Sequence, residues 1–132
     1  MSNAEIGTRV VHRRYVDHGH AHYGGGLVDG AFGLALFGDV ATELCILTDG
    51  DEGLFASYSD VQFLAPVRAG DVVEAAAEIV RVGTRSRTLS FTLSVVARSA
   101  PERGDSAADH LTRPVLATTA TGTVVVPPAA AP

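Results

Sequence analysis

The feature that most limits the fold is one helical stretch that is apolar on most of its sides. From Leu27 onward, Leu27, Val28, Ala31, Leu34, Ala35, Phe37, Val40, Ala41, Leu44 and Cys45 recur at helical spacing. A helix apolar nearly all round has to be buried. Gly30, Gly33 and Gly38 lie inside it, and each weakens a helix unless another backbone or a ligand comes close. Thr48-Asp49-Gly50-Asp51-Glu52-Gly53 ends the helix in a turn. A chain of 132 residues makes one domain, so whatever buries this helix comes from the same domain or from a second copy of it.

The remainder reads as strands. Residues 5–16 give a first strand, followed by a His- and Gly-rich loop over 17–26. Strands are predicted over 54–64, 71–82, 87–98 and 115–126, with turns at Pro66–Gly70 and Gly83–Ser86. In the 87–98 strand, Leu89, Phe91, Leu93 and Val95 alternate with Thr88, Ser90, Thr92 and Ser94, the pattern of a half-buried antiparallel strand. Residues 99–113 are polar and read as a flexible loop. The domain is bounded at 5–126. Residues 1–4 are set aside as a tag remnant or disordered start, and 127–132 as a disordered tail. The order predicts an α+β fold, with a five-stranded antiparallel sheet wrapped around one long central helix.

Several function classes are excluded by composition. Net charge is −5, with no basic stripe, which argues against nucleic acid as a partner. No uninterrupted apolar run reaches the roughly 18 residues of a membrane span. The single Cys45 cannot form an internal disulfide, which fits a reducing cytoplasm. All ten basic residues are Arg, so no lysine is present for a Schiff base.

Some residues have chemistry written into their positions. Gly24, Gly25 and Gly26 precede the predicted helix, where free backbone N–H groups bind an anion or polarise a carbonyl; a flexible joint is the alternative. Asp29 lies in an apolar stretch, where desolvation favours a proton-accepting role; a helix-terminal Asp favoured by the macrodipole is the alternative. Asp39 and Glu43 are four residues apart and share a helix face. His18, His20 and His22 alternate, but a zinc site is disfavoured and no metal is expected. His22, beside Tyr23 and the glycines, is the best placed acid–base partner. Arg85 and Arg87 sit around a predicted turn, as phosphate contacts or a solvated hairpin tip.

The segment Ser59-Asp60-Val61-Gln62-Phe63-Leu64-Ala65-Pro66-Val67-Arg68-Ala69-Gly70-Asp71 resembles the D-x-x-x-F-L-x-P-V-x-x-G-D stretch of hotdog acyl-CoA thioesterases. The runs His22–Ala31 and Leu36–Leu44 resemble the 3-aminobutyryl-CoA ammonia-lyases, themselves hotdog proteins. The resemblance implies a hotdog fold, a homodimer or trimer of dimers, and an acyl-CoA substrate with no further cofactor. It also implies a carbon–nitrogen lyase that removes ammonia from a β-aminoacyl-CoA to give a 2-enoyl-CoA. An acyl-CoA thioesterase and a non-catalytic thioester-binding protein are the alternatives. The Gly24-to-Asp29 spacing is similar to that in hotdog β-hydroxyacyl dehydratases, where an acid on this helix works with a histidine. Matched backward from Phe63, Asp39 takes the place of the thioesterase carboxylate; matched forward from Tyr23, Phe32 does. The expected catalytic set is therefore Asp29, His22, Asp39 and Glu43, with Tyr23, Gly24, Gly25, Gly26, Arg85 and Arg87 binding substrate.

Overall fold

The computed structural model describes residues 2–128. Of the tail expected over 127–132, residues 129–132 lie outside the described residues. Five strands form one antiparallel sheet: β1 (Arg9–Tyr15), β2 (Leu54–Phe63), β3 (Val72–Val82), β4 (Ser86–Ser99) and β5 (Ala108–Val125). Their spatial order is β1-β3-β4-β5-β2, so β1 and β2 are the two edges. The single long helix, α1 (Gly30–Asp49), lies along one face of this sheet. This is the one-helix, five-strand arrangement expected from the sequence.

The helix is less enclosed than its composition suggested. Its buried residues are Gly33, Leu36, Phe37, Val40, Ala41, Leu44, Cys45 and Thr48, one stripe at spacings of three and four. They pack on Leu89, Phe91, Leu93 and Val95 of β4 and on Val73, Ala75, Ala77 and Ile79 of β3. Phe37 stacks on Phe91 at 4.9 Å between ring centroids. Ala35, Ile46 and Leu47 on the other side are exposed, because one sheet covers only one side of a cylinder. The helix also starts later than expected. Leu27 and Val28 are extended and bridge to Arg68 and Ala21, and Asp29 is the N-cap. Gly50, in the left-handed region at φ 63°, closes the other end by donating its N–H to Ile46 O.

By length and composition α1 is apolar enough to cross a membrane, although it holds no unbroken apolar run of that length. Asp39 and Glu43 break those runs without making the helix polar overall. Its apolar stripe is seated on the sheet, as in a core helix.

Two further expectations change. The predicted loop over 99–113 is mostly hairpin: β4 runs to Ser99, a short 3-10 turn spans Pro101–Arg103, and β5 begins at Ala108. Ala97, Arg98 and Ser99 pair with His110, Asp109 and Ala108. Polarity here marks a ribbon exposed on both faces, and its backbone is still satisfied by pairing. The true irregularity is Leu111–Pro114, which bulges out between the Ala97–His110 and Val95–Val115 pairs; Pro114 has no N–H for a ladder. Nor is the start loose. Asn3 N–H donates to Thr48 O, capping an otherwise unpaired carbonyl of the last helical turn.

At that end of α1, Asp49 and Arg87 form an ion pair of 2.9 Å with both side chains 5% exposed. Burial alone would raise the Asp49 carboxyl, but hydrogen bonds from Ser2, Arg87 and Thr48 outweigh it and hold the group below its usual range. A carboxylate held low in the folded state contributes stability above its unfolded pKa of about 3.9, and loses it as pH falls through the folded value. Asp49→Asn should therefore lower stability at neutral pH by about 3 kcal/mol, since it strands a buried guanidinium. In urea unfolding followed at pH 7 and pH 3, the gap to the parent protein should narrow at the lower pH.

Candidate active site

A cavity of about 710 Å³ opens between the N-terminal turn of α1 and the turn that follows β2. Its rim carries His22, Tyr23 and Asp29. Leu27, Phe32, Phe63, Pro66, Val67 and Leu93 supply apolar walls, and Thr118 lies on the inner wall. An apolar pocket with a few converging polar groups is the usual form of a small-molecule site.

Two glycines of α1 let the cavity walls close against the helix. A Cβ on Gly30 would lie 2.5 Å from Phe63 Cε1, and one on Gly33 would lie 2.9 Å from Leu93 Cδ2. Being three residues apart, they present one bare helix face to the sheet. At Gly30 and Gly33 the close approach is made by side chains rather than by the backbone or ligand expected. Nothing lies within 4 Å of a Cβ built on Gly38, and nothing in the structure explains that glycine.

Asp29 has two tasks. Its Oδ1 accepts the N–H of Phe32 at 3.1 Å, capping the helix. Its Oδ2 stands 3.9 Å from His22 Nδ1. The side chain is 37% exposed, so the premise of a deeply buried carboxylate does not hold; the rim position and the cap leave it in contact with solvent. His22 packs edge-on against Tyr23, and its backbone N–H donates to Leu27 O. The neighbouring His20 ring packs on Phe32. His18 lies elsewhere, against Tyr15. Among the described residues no group of three potential ligands is placed to hold a metal ion.

The structure brings His22, Tyr23 and Asp29 together and separates the other candidates from them. Gly24, Gly25 and Gly26 form a 3-10 turn of their own, two extended residues before the cap, and do not line the cavity. The amides at the helix N-terminus are those of Gly30 and Ala31, which do line it, and first-turn amides have no partner within the helix. Asp39 lies ten residues beyond Asp29, about 15 Å along the axis. Together with Glu43 it sits on the open side of α1, where Arg14 and His12 of β1 face the two carboxylates. Arg85 is exposed in the β3–β4 turn. Arg87 is corrected from a substrate contact to an internal anchor: it donates to Asp49, Ser2, and the Gly83 and Ser86 carbonyls. It meets the far end of α1, about 30 Å from the cavity by helix length.

Sequence reasoning passed over Phe63, Leu93 and Thr118 as site walls. Thr118 had a visible signal. Its parity matches Ala120 and Val124, both buried, so a hydroxyl stands at an inward position of β5.

The thioesterase superfamily model matches residues 25–96. The 3-aminobutyryl-CoA ammonia lyase of Acetoanaerobium sticklandii is 53% identical over 107 residues, 81% of this chain and 85% of that protein. The chain belongs to the thioesterase superfamily. Among solved structures, β-alanyl-CoA:ammonia lyase from Clostridium propionicum superposes with a TM-score of 0.86 at 40% identity, covering 92% of this chain and 87% of that one. A hexameric hotdog fold thioesterase of Campylobacter jejuni, 17% identical, gives 0.73 over 88% of this chain and 80% of its own. At that identity the likeness is one of fold. This member of the superfamily has the hotdog fold expected from its sequence.

The cap and the chemistry of Asp29 are separable. Asn caps a helix about as well as Asp, whereas Ala does not. Asp29→Ala should lower stability by about 1 kcal/mol in urea unfolding, and Asp29→Asn should leave it within a few tenths.

Proposed function

We propose that this protein is a CoA-linked ammonia lyase that reversibly removes ammonia from a β-aminoacyl-CoA to give the 2-enoyl-CoA. The observation that carries the reading is the Asp29–His22 pair at the rim of an apolar cavity, beside the N-terminus of α1. It stands in a chain 53% identical to a 3-aminobutyryl-CoA ammonia lyase.

The chemistry follows from the arrangement. The thioester carbonyl lies at the first-turn amides of Gly30 and Ala31, which stabilise the negative charge that grows on its oxygen. Asp29 takes the α-proton. The C–N bond breaks with its electron pair on nitrogen, and His22 gives the neutral amine the proton it needs to leave as ammonia. Asp29 then returns its proton to His22, and the pair is reset. The apolar walls seat the acyl chain. Coenzyme A enters as part of the substrate, and the steps call for no other cofactor.

A homo-oligomer completes the reading, either a dimer or a trimer of dimers, working in the cytoplasm. In support, β2 is an open sheet edge ten residues long, flanked by exposed Leu54, Phe63 and Leu64. The outer flank of α1 is also uncovered. In such an assembly Asp39 and Glu43, remote from the cavity of their own chain and facing Arg14 and His12, serve a neighbour's cavity.

Incubation with crotonyl-CoA and ammonium tests the activity. Enoyl absorbance should fall, a mass gain equal to ammonia should appear, and no free thiol should be released. Asp29→Asn should slow the reaction about 100-fold or more, the usual contribution of a general base. Thiol release without the adduct would make the protein a thioesterase. Binding with neither signal would make it a non-catalytic thioester-binding protein.

A further inference from the structure

Thr118 is a buried polar residue that neither the fold nor the proposed steps account for. It sits in β5 between β4 and β2, paired with Leu93 on one side and Phe63 on the other. Directly paired residues of antiparallel strands point to the same face. Phe63, Thr118 and Leu93 therefore form a row under α1, facing its bare Gly30–Gly33 surface. Thr118 Oγ1 lies 4.0 Å from where a Cβ on Gly33 would stand. The residue is 4% exposed and lines the cavity. Among the described residues its hydroxyl has no hydrogen-bond partner, in contrast to the buried Thr48, which donates to Leu44 O. It is also not among the sealed side-chain atoms that lack a partner; among the described residues that group holds only Arg87 Nε. Its remaining exposure is to the cavity.

A hydroxyl in an apolar wall takes its partner from what fills the cavity, water when it is empty and a ligand's polar group when it is occupied. We propose that Thr118 is a specificity-determining residue whose Oγ1 accepts a hydrogen bond from the β-nitrogen of the substrate. This rests on the lyase reading above. Position selects the nitrogen. The carbonyl is held at the helix N-terminus, and the β-carbon, two bonds on, comes within reach of both the rim pair and the inner wall at Gly33 and Thr118. Chemistry selects it as well. Beyond the carbonyl, a β-aminoacyl group has one polar centre, an N–H donor, and the hydroxyl offers two acceptor lone pairs. The apolar surroundings of Phe32, Phe63 and Leu93 make that single contact the discriminating one between an aminated chain and a plain one.

The test uses Thr118→Val, which keeps shape and removes the hydroxyl, and Thr118→Ser, which restores it. Kinetics are run with ammonium varied against saturating crotonyl-CoA, and with crotonyl-CoA varied. Butyryl-CoA serves as an inhibitor without nitrogen. Thr118→Val should raise the KM for ammonium about tenfold or more, the effect of one lost hydrogen bond to a polar ligand. The KM for crotonyl-CoA and the inhibition constant for butyryl-CoA should stay within about twofold, and Thr118→Ser should recover most of the ammonium affinity. An unchanged ammonium KM in Thr118→Val overturns the proposal while leaving the lyase intact. So does an equal weakening toward ammonium, crotonyl-CoA and butyryl-CoA, which would mark a packing role. If the parent protein adds no ammonia to crotonyl-CoA, the lyase reading itself has failed and this assignment falls with it.

Discussion

The site depends on a charge pair outside it. Asp71 is fully buried. Its carboxylate accepts two bonds from Arg98, at 2.9 and 2.8 Å, and a third from Arg68 N–H at 2.8 Å. Arg98 in turn donates to Pro66 O. A buried carboxylate without such partners would be strongly unfavourable, so the turn from Pro66 to Asp71 has little freedom. That turn then fixes the next segment: Val28 N–H donates to Val67 O, and Ala69 N–H to Gly26 O. Asp29 follows Val28 directly. The position of the rim carboxylate is thus relayed from β4 through one ion pair and two backbone bonds.

The same economy is visible in α1. Its middle and C-terminal parts fill the core with Phe37, Val40 and Leu44. Its first turn admits Phe63 and Leu93 against Gly30 and Gly33, presents the Gly30 and Ala31 amides, and carries the Asp29 cap. One element thus provides core, cavity and polar rim. The division falls along its length, where side chains change from absent to large. The opposite end is held by the Asp49–Arg87 pair and the Asn3 cap, which keep the helix from sliding along the sheet.

Most of the strand and helix content was legible because it rests on local periodicity. Alternation in Leu89–Val95 specifies a half-buried strand whatever it pairs with. Arg87 is in phase with Leu89 and Phe91, hence inward, but its charge and its nearness to a turn point to solvent. The polar 99–113 segment was misread for the opposite reason. A ribbon exposed on both faces has no hydrophobic alternation to reveal it. The helix start was misplaced because Leu27 and Val28 are apolar at helical spacing, while their backbone groups are taken by Arg68, Ala21 and Val67.

By itself the sequence determined one apolar helix, several antiparallel strands, and His22, Tyr23 and Asp29 as candidates within one short stretch of chain. The tertiary structure alone decided which carboxylate meets the cavity. Asp29, Asp39 and Glu43 are equivalent in a one-dimensional reading, but the cavity forms only where Gly30 and Gly33 meet Phe63 and Leu93. It also decided that Arg87 serves the core and that Thr118, far along the chain, faces the space beside Gly33. These are long-range facts. Strand order and register set which distant residues share a wall, and neither is encoded in the spacing of any one segment.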